Sequence, residues 1–222
     1  IQPFLDRRKP GQSKYTTKRN ENEQIQILSG IFEGKTTGTP ISLIVYNQDQ
    51  RSKDYKNLAA TYRPGHADYT FDAKYGIRDY RGGGRTSGRE TIGRVAAGAV
   101  ASKLLQRLGI RVAAYTKAIG SVTIPETEYD YGCINDNPLY MPNNAYAREA
   151  AAILEKCVKR QDSMGGVIEC IIEGVPAGIG EPVFDKLDAA LSKAVMSIGA
   201  VKGVEIGDGF KAACAAGSSN ND

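Results

Sequence analysis

The only histidine in the chain, His66, sits in Arg63-Pro64-Gly65-His66-Ala67-Asp68-Tyr69. An imidazole titrates near neutral pH and can give or take a proton under cellular conditions. Asp68 is close enough in sequence to orient the ring, and Arg63 suits a carboxylate or phosphate. The alternative is an exposed loop histidine with no chemical task. A second group is the run Gly82-Gly83-Gly84-Arg85-Thr86-Ser87-Gly88-Arg89-Glu90-Thr91. Ser87 with Glu90 three residues later reads as a capping box, which predicts a helix beginning near Gly88 with its free N–H groups facing the glycines. Such a terminus attracts anions, and Arg85 adds a planar, permanently charged donor. The alternative is an ordinary capped helix after a flexible loop.

Two common nucleotide motifs are excluded. The glycine run ends in no Gly-Lys-Ser/Thr and follows no clear strand, and Gly34-Lys35-Thr36 lacks a glycine five residues before it. A third group, Asp6-Arg7-Arg8-Lys9-Pro10-Gly11 with Lys14, is basic. Residues 1–20 hold six Lys/Arg against one Asp, and 51–90 hold nine against five acids, while the remainder is acidic, with fourteen against nineteen. Two local basic segments that meet in the fold would draw an anionic small molecule. Nucleic acid is not expected, because only Phe4 and Tyr15 interleave the first segment.

The elements that must hold these groups follow from periodicity. Residues 25–31 and 40–46 are β-branched runs and read as strands. Residues 51–88 show no sustained period and read as one long functional loop. From Arg89 to Leu108 the apolar positions Ile92, Val95, Ala96, Ala99, Val100, Leu104 and Leu108 predict an amphipathic helix. A second helix is expected over 144–160, with Ala147, Ala151, Leu154 and Val158 on one face. A third is expected from Pro182, at its first position, to Ile198. Strand character marks 110–123, 166–173, 201–206 and 209–214. This mixed order favours an α+β layered fold in a single domain over a regular doubly wound sheet.

Composition adds bounds. Hydrophobic residues make up 41% and charged residues 24%, with no run long enough to span a membrane as a helix. Cys133, Cys157, Cys170 and Cys214 form no C-x-x-C pair and have one histidine to join them, so no metal site is expected. Scattered thiols suit a reducing compartment.

The motifs at 6–11, 63–68 and 83–91, then Gly174-Val175-Pro176-Ala177-Gly178, Gly180-Glu181-Pro182-Val183-Phe184-Asp185 and Val201-Lys202-Gly203-Val204-Glu205-Ile206-Gly207, resemble in order the signatures of the chorismate synthase family. The resemblance implies a sandwich with helices between antiparallel β-sheets and a carbon–oxygen lyase of the shikimate pathway. Its reaction is an anti 1,4-elimination of phosphate from 5-enolpyruvylshikimate 3-phosphate, giving chorismate with reduced FMN and no net redox change. It implies flavin binding by Arg85, Thr86, Ser87, Gly199 and Ala200, and proton transfer by His66. Arg8, Lys14 and Arg63 would hold the substrate's phosphate and carboxylates, the first two matching positions that take NADPH in some members. A homotetramer in a bacterial-type cytoplasm is implied, with a plastid setting left open. Lys14 stands where the family usually has arginine, and Thr86 and Gly88 where it has serine and alanine. Family segments expected before Ile1 and after Asp222 carry a second essential histidine and further flavin loops, so the chain reads as a central portion, with negligible turnover expected of it alone.

Overall fold

The computed structural model describes residues 1–17, 23–47, 58–82 and 84–220. Residues 51–57 of the expected long loop and Gly83 of the glycine run therefore lie outside the described residues. The chain forms two compact units, Ile1–Gly174 and Val175–Asp222.

The first unit opens with a short helix, α1 (Gln2–Arg8), which takes in the start of the first basic segment. Pro3 suits its first turn, where an N–H is unneeded, and Arg7 and Arg8 face the negative end. What fixes it is Leu5, completely buried as α1 packs on the helix α3 (Thr91–Arg107). In α3 the buried residues are the small Ala96 and Ala99, whereas Leu104 and Leu108 of the expected apolar face are 64% and 63% exposed.

Strands β1 (Ile25–Ser29) and β4 (Ser42–Val45) pair antiparallel, with a bulge between Ile27 and Ser29. The Gly/Thr-rich connection, expected as a loop, contains a small hairpin of β2 (Ile31–Phe32) and β3 (Lys35–Thr36). Glu33 and Gly34 at its tip have φ of 47° and 75°, the turn geometry that matches strand twist.

The expected strand 110–123 is a hairpin, β5 (Arg111–Ile119) and β6 (Val122–Thr123), because Gly120, at φ 57°, turns the chain. β7 (Gly166–Glu173) pairs antiparallel along the whole of β5. Against this sheet lies α4 (Asn144–Lys159), capped by Asn143, whose Oδ1 accepts from the N–H groups of Ala145 (2.9 Å) and Tyr146 (3.4 Å). Val122, Ile124, Leu139, Met141, Ala147 and Ala150 form the core between them. The buried stripe of α4 runs through Ala147, Ala150 and Cys157, so Val158, expected inward, is 56% exposed.

In the second unit Pro182 does not start a helix. It lies between β8 (Gly180–Glu181) and β9 (Asp185–Lys186), an antiparallel pair, and the helix α5 begins at Leu187 and ends at Met196. Gly180 permits this closure, since a Cβ there would stand 2.7 Å from the Leu187 nitrogen. The strands expected at 201–206 and 209–214 are absent: the former has no regular structure and the latter is a 3-10 turn, Gly209–Cys214. The β-branched Val201, Val204 and Ile206 make a strand only when a neighbour supplies the ladder, and none among the described residues does so; 209–214 holds no β-branched residue at all. All paired strands are antiparallel and interspersed with helices, an α+β arrangement.

Candidate functional site

The segment expected as an uninterrupted loop contains a two-turn helix, α2 (Asp68–Tyr75), ended by Gly76 at φ 73°. Its first residue organises the chain before it. The Asp68 carboxylate, 5% exposed, accepts from the Arg63 backbone N–H (3.0 Å), Nε (2.9 Å) and Nη2 (2.9 Å). These bonds hold its carboxyl well below the usual carboxylate range, against the opposing push of burial. Asp68 thus closes a tight turn over 63–68 instead of orienting the imidazole. His66 is exposed at the tip of that turn, with its N–H bonded to the Arg63 carbonyl (3.3 Å) and Nδ1 3.1 Å from the Pro64 carbonyl. A carbonyl only accepts, so this contact needs a proton on Nδ1 and leaves the Nε2 lone pair as the basic site.

The glycine run leads into two successive 3-10 turns, Gly84–Thr86 and Gly88–Glu90, and α3 follows at Thr91. Ser87 caps the second turn, its hydroxyl accepting from the Arg89 N–H at 3.3 Å. The reciprocal half of the expected capping box is replaced, because the Glu90 carboxylate accepts from Arg94 Nε one helical turn on (2.9 and 3.1 Å). Arg85 is exposed and has no ion-pair partner among the described residues. A solvent-open cleft of ≈ 320 Å³ lies beside these turns, lined by Gly84, Arg85, Arg89 and Glu90 together with Glu23 and Tyr46.

Tertiary structure brings Arg8 of the first basic segment onto Glu23, which lines this cleft. Arg8 donates through Nη1 to both oxygens of buried Glu23 (2.5 and 2.6 Å) and through Nε to Thr91 Oγ1 (2.9 Å). Thr91 Oγ1 in turn donates to the Gly88 carbonyl (2.7 Å). Lys14 bonds Glu155 on α4, which raises the lysine's pKa and lowers the glutamate's. The three expected anion-holding cations, Arg8, Lys14 and Arg63, are therefore each paired with a carboxylate, and Arg85 is not. Gly199 and Ala200 belong to the second unit, in the turn after α5, where Ala200 has φ 72°.

Sequence reasoning missed Glu23 and Arg78, and gave no role to Thr91 at the end of the glycine-rich run. Arg78 carried no signal in spacing, since its partners are backbone carbonyls of 58–61 and two carboxylates of α2. Glu23, lying outside every motif, is distinguished only by burial.

Fold and site together define an antiparallel α+β protein with an exposed guanidinium on a turn before a helix and an exposed histidine at the tip of a second turn. A family model described as chorismate synthase matches residues 1–222, so the chain belongs to the chorismate synthase family. It is 62% identical over 222 residues to a chorismate synthase of Agathobacter rectalis and 63% identical to one of Lachnoclostridium phytofermentans, covering all of this chain and 60% of each relative. A solved structure titled "Crystal Structure of Chorismate Synthase" superposes with a TM-score of 0.78 at 31% identity, over 100% of this chain and 64% of that one. The chain thus spans about three-fifths of the length of the curated relatives it matches.

Proposed function

We propose that this chain supplies part of the flavin and substrate site of a chorismate synthase, which eliminates phosphate from 5-enolpyruvylshikimate 3-phosphate to give chorismate. The observation that carries this reading is Arg85: an exposed guanidinium without an ion-pair partner among the described residues, on a turn whose chain enters a helix, beside an open cleft. That donor set suits the FMN phosphate, because backbone N–H groups and a guanidinium both favour a dianion. Thr86 and Ser87 add hydroxyls there; a flavin-binding role for Gly199 and Ala200 rests on the family resemblance alone. Reduced FMN, when bound, supplies transient electron density to the reaction without net redox change.

In the elimination one C–H bond and the C–O bond to phosphate break, the C–H pair goes into a net new double bond, the hydrogen leaves as a proton, and phosphate departs with the C–O bonding pair. His66 exchanges a proton through Nε2, while its Nδ1–H stays on the Pro64 carbonyl. The substrate's anionic groups fall to Arg8, Lys14 and Arg63, while Glu23, Glu155 and Asp68 stay in place as the carboxylates that orient these cations. Arg8 and Lys14 also suit an NADPH phosphate. A homotetramer in the bacterial cytoplasm completes the reading.

Flavin titration tests it. FMN and riboflavin, which lacks the phosphate, are titrated anaerobically into the wild-type chain and into Arg85→Gln. FMN affinity is expected to fall about 10- to 30-fold in the variant, about 1.4–2 kcal/mol for one charge-assisted phosphate contact, with riboflavin unaffected. Equal FMN affinity in both proteins would refute the assignment.

A further inference from the structure

Arg78 is almost enclosed, with a side chain 7% exposed, in a segment whose other arginines reach solvent. Its Nη2 donates to the carbonyls of Leu58 (2.7 Å), Ala59 (3.1 Å) and Thr61 (2.9 Å), and its Nε to Asp72 Oδ2 (3.0 Å). Nη1 has no hydrogen-bond partner among the described residues and stands 3.4 Å from Asp68 Oδ2. The guanidinium also lies 4.9 Å from the centre of the Tyr62 ring, which meets Tyr69 edge-on. One side chain thereby ties the strand of chain before His66 to the helix after it. We propose that Arg78 is the positioning residue for His66: it fixes Asp68, and through Asp68 the 63–68 turn that holds the imidazole with Nδ1 on the Pro64 carbonyl.

The charges balance locally. Arg63 and Arg78 face the buried Asp68 and the half-buried Asp72, so neither carboxylate is left uncompensated. Asp68 spends its directed lone pairs on Arg63, and Arg78 holds it from the other side by charge. Lysine cannot take this place, because an ammonium offers its donors from one point whereas these acceptors lie around a planar fork. The turn itself is short of other restraints: Pro64, Gly65 and His66 are all exposed, and Gly65 at φ 70° meets nothing within 4 Å of a built Cβ. Without Asp68 held in place, the ring has no reason to keep one orientation.

This inference rests on the reading of His66 as the proton-transfer residue, but its test does not need turnover. In the ¹⁵N- and ¹³C-labelled chain the single imidazole needs no assignment. The wild-type ring is expected to be in the Nδ1–H tautomer when neutral. In Arg78→Lys it should revert toward the Nε2–H form that free imidazole side chains prefer, and the Arg63 and His66 amides should exchange about tenfold faster or more. Far-UV circular dichroism should stay unchanged. Asp68→Asn should reproduce the effect and decides the matter if Arg78→Lys does not fold, while Arg81→Gln, at an exposed pair with Asp79, should have none. A wild-type ring in the Nε2–H form, or folded variants that keep the wild-type tautomer and exchange rates, overturns the proposal. FMN titration of the same samples is a separate readout: failure to bind flavin would remove the proposed function and leave the tautomer result standing.

Discussion

Replacing Glu169 by glutamine should loosen the β5–β7 sheet in a pH-dependent way. The Glu169 carboxylate accepts from Tyr115 Oη (2.6 Å), Tyr129 Oη (3.0 Å) and Lys117 Nζ (2.7 Å). Tyr115 and Glu169 are opposite each other in the ladder, so the cluster joins both strands to the 126–131 segment. Burial pushes the Glu169 pKa upward, but the bonds from Lys117, Tyr115 and Tyr129 outweigh it and hold the group below its ordinary 4.5. A hydrogen bond to a charged partner contributes about 1.5–3 kcal/mol and a neutral one about 0.5–1.5 kcal/mol. Glu169→Gln keeps one acceptor oxygen for three donors, so about 1 kcal/mol is lost per bond. Partial exposure, 29% for this side chain, lets water offset some of that. The net loss is about 2–3 kcal/mol, which lowers Tm by about 4–12 °C for a chain of this size. A carboxyl with a lowered folded pKa stabilises the fold above its unfolded value, and that contribution disappears as pH falls through the folded value. The gap between wild type and Glu169→Gln in thermal melts followed by circular dichroism should therefore be full at neutral pH and shrink as pH falls below the ordinary 4.5. A Tm difference under about 2 °C at neutral pH, or a gap that widens in acid, would refute this reasoning.

The same cluster governs the alkaline side: burial and the bond to Glu169 push Tyr115 and Tyr129 above their ordinary 10. Absorbance at 295 nm should show these among the last of the twelve tyrosines to ionise, with Tyr115 doing so only as the sheet opens, since a raised tyrosine pKa stabilises below 10 and loses that effect above. A single titration of all twelve near 10 would contradict it. Gly174→Ala should destabilise the first unit by about 2–4 kcal/mol, because φ is 79° and the new Cβ would collide with the Gly109 carbonyl oxygen. Gly34→Ala, at φ 75° with open space around it, should cost only about 1 kcal/mol in the same denaturant melts, and equal effects would argue against the collision.

Helices over 91–107 and 144–159 and the strand at 166–173 were legible because apolar spacing and caps act within a few residues. The hairpin that displaced Pro182 from a helix start was not, because it depends on Gly180 approaching Leu187. Nor was the absence of the two strands near the end, where 201–206 lacks a pairing neighbour among the described residues and 209–214 has no β-branched residue.

The site divides along the same line. The residue types at 63–68 and 82–91 by themselves determined that an imidazole, a guanidinium and a capped turn would be available, since those are properties of side chains and of adjacent backbone. Which groups they face was decided only by tertiary structure. Asp68 closes the turn on Arg63 and leaves the imidazole to the Pro64 carbonyl, Arg8 reaches Glu23 and Thr91, and Arg78 joins chain twenty residues apart. Pairing of charges depends on distance and burial after folding, and neither is encoded in local spacing.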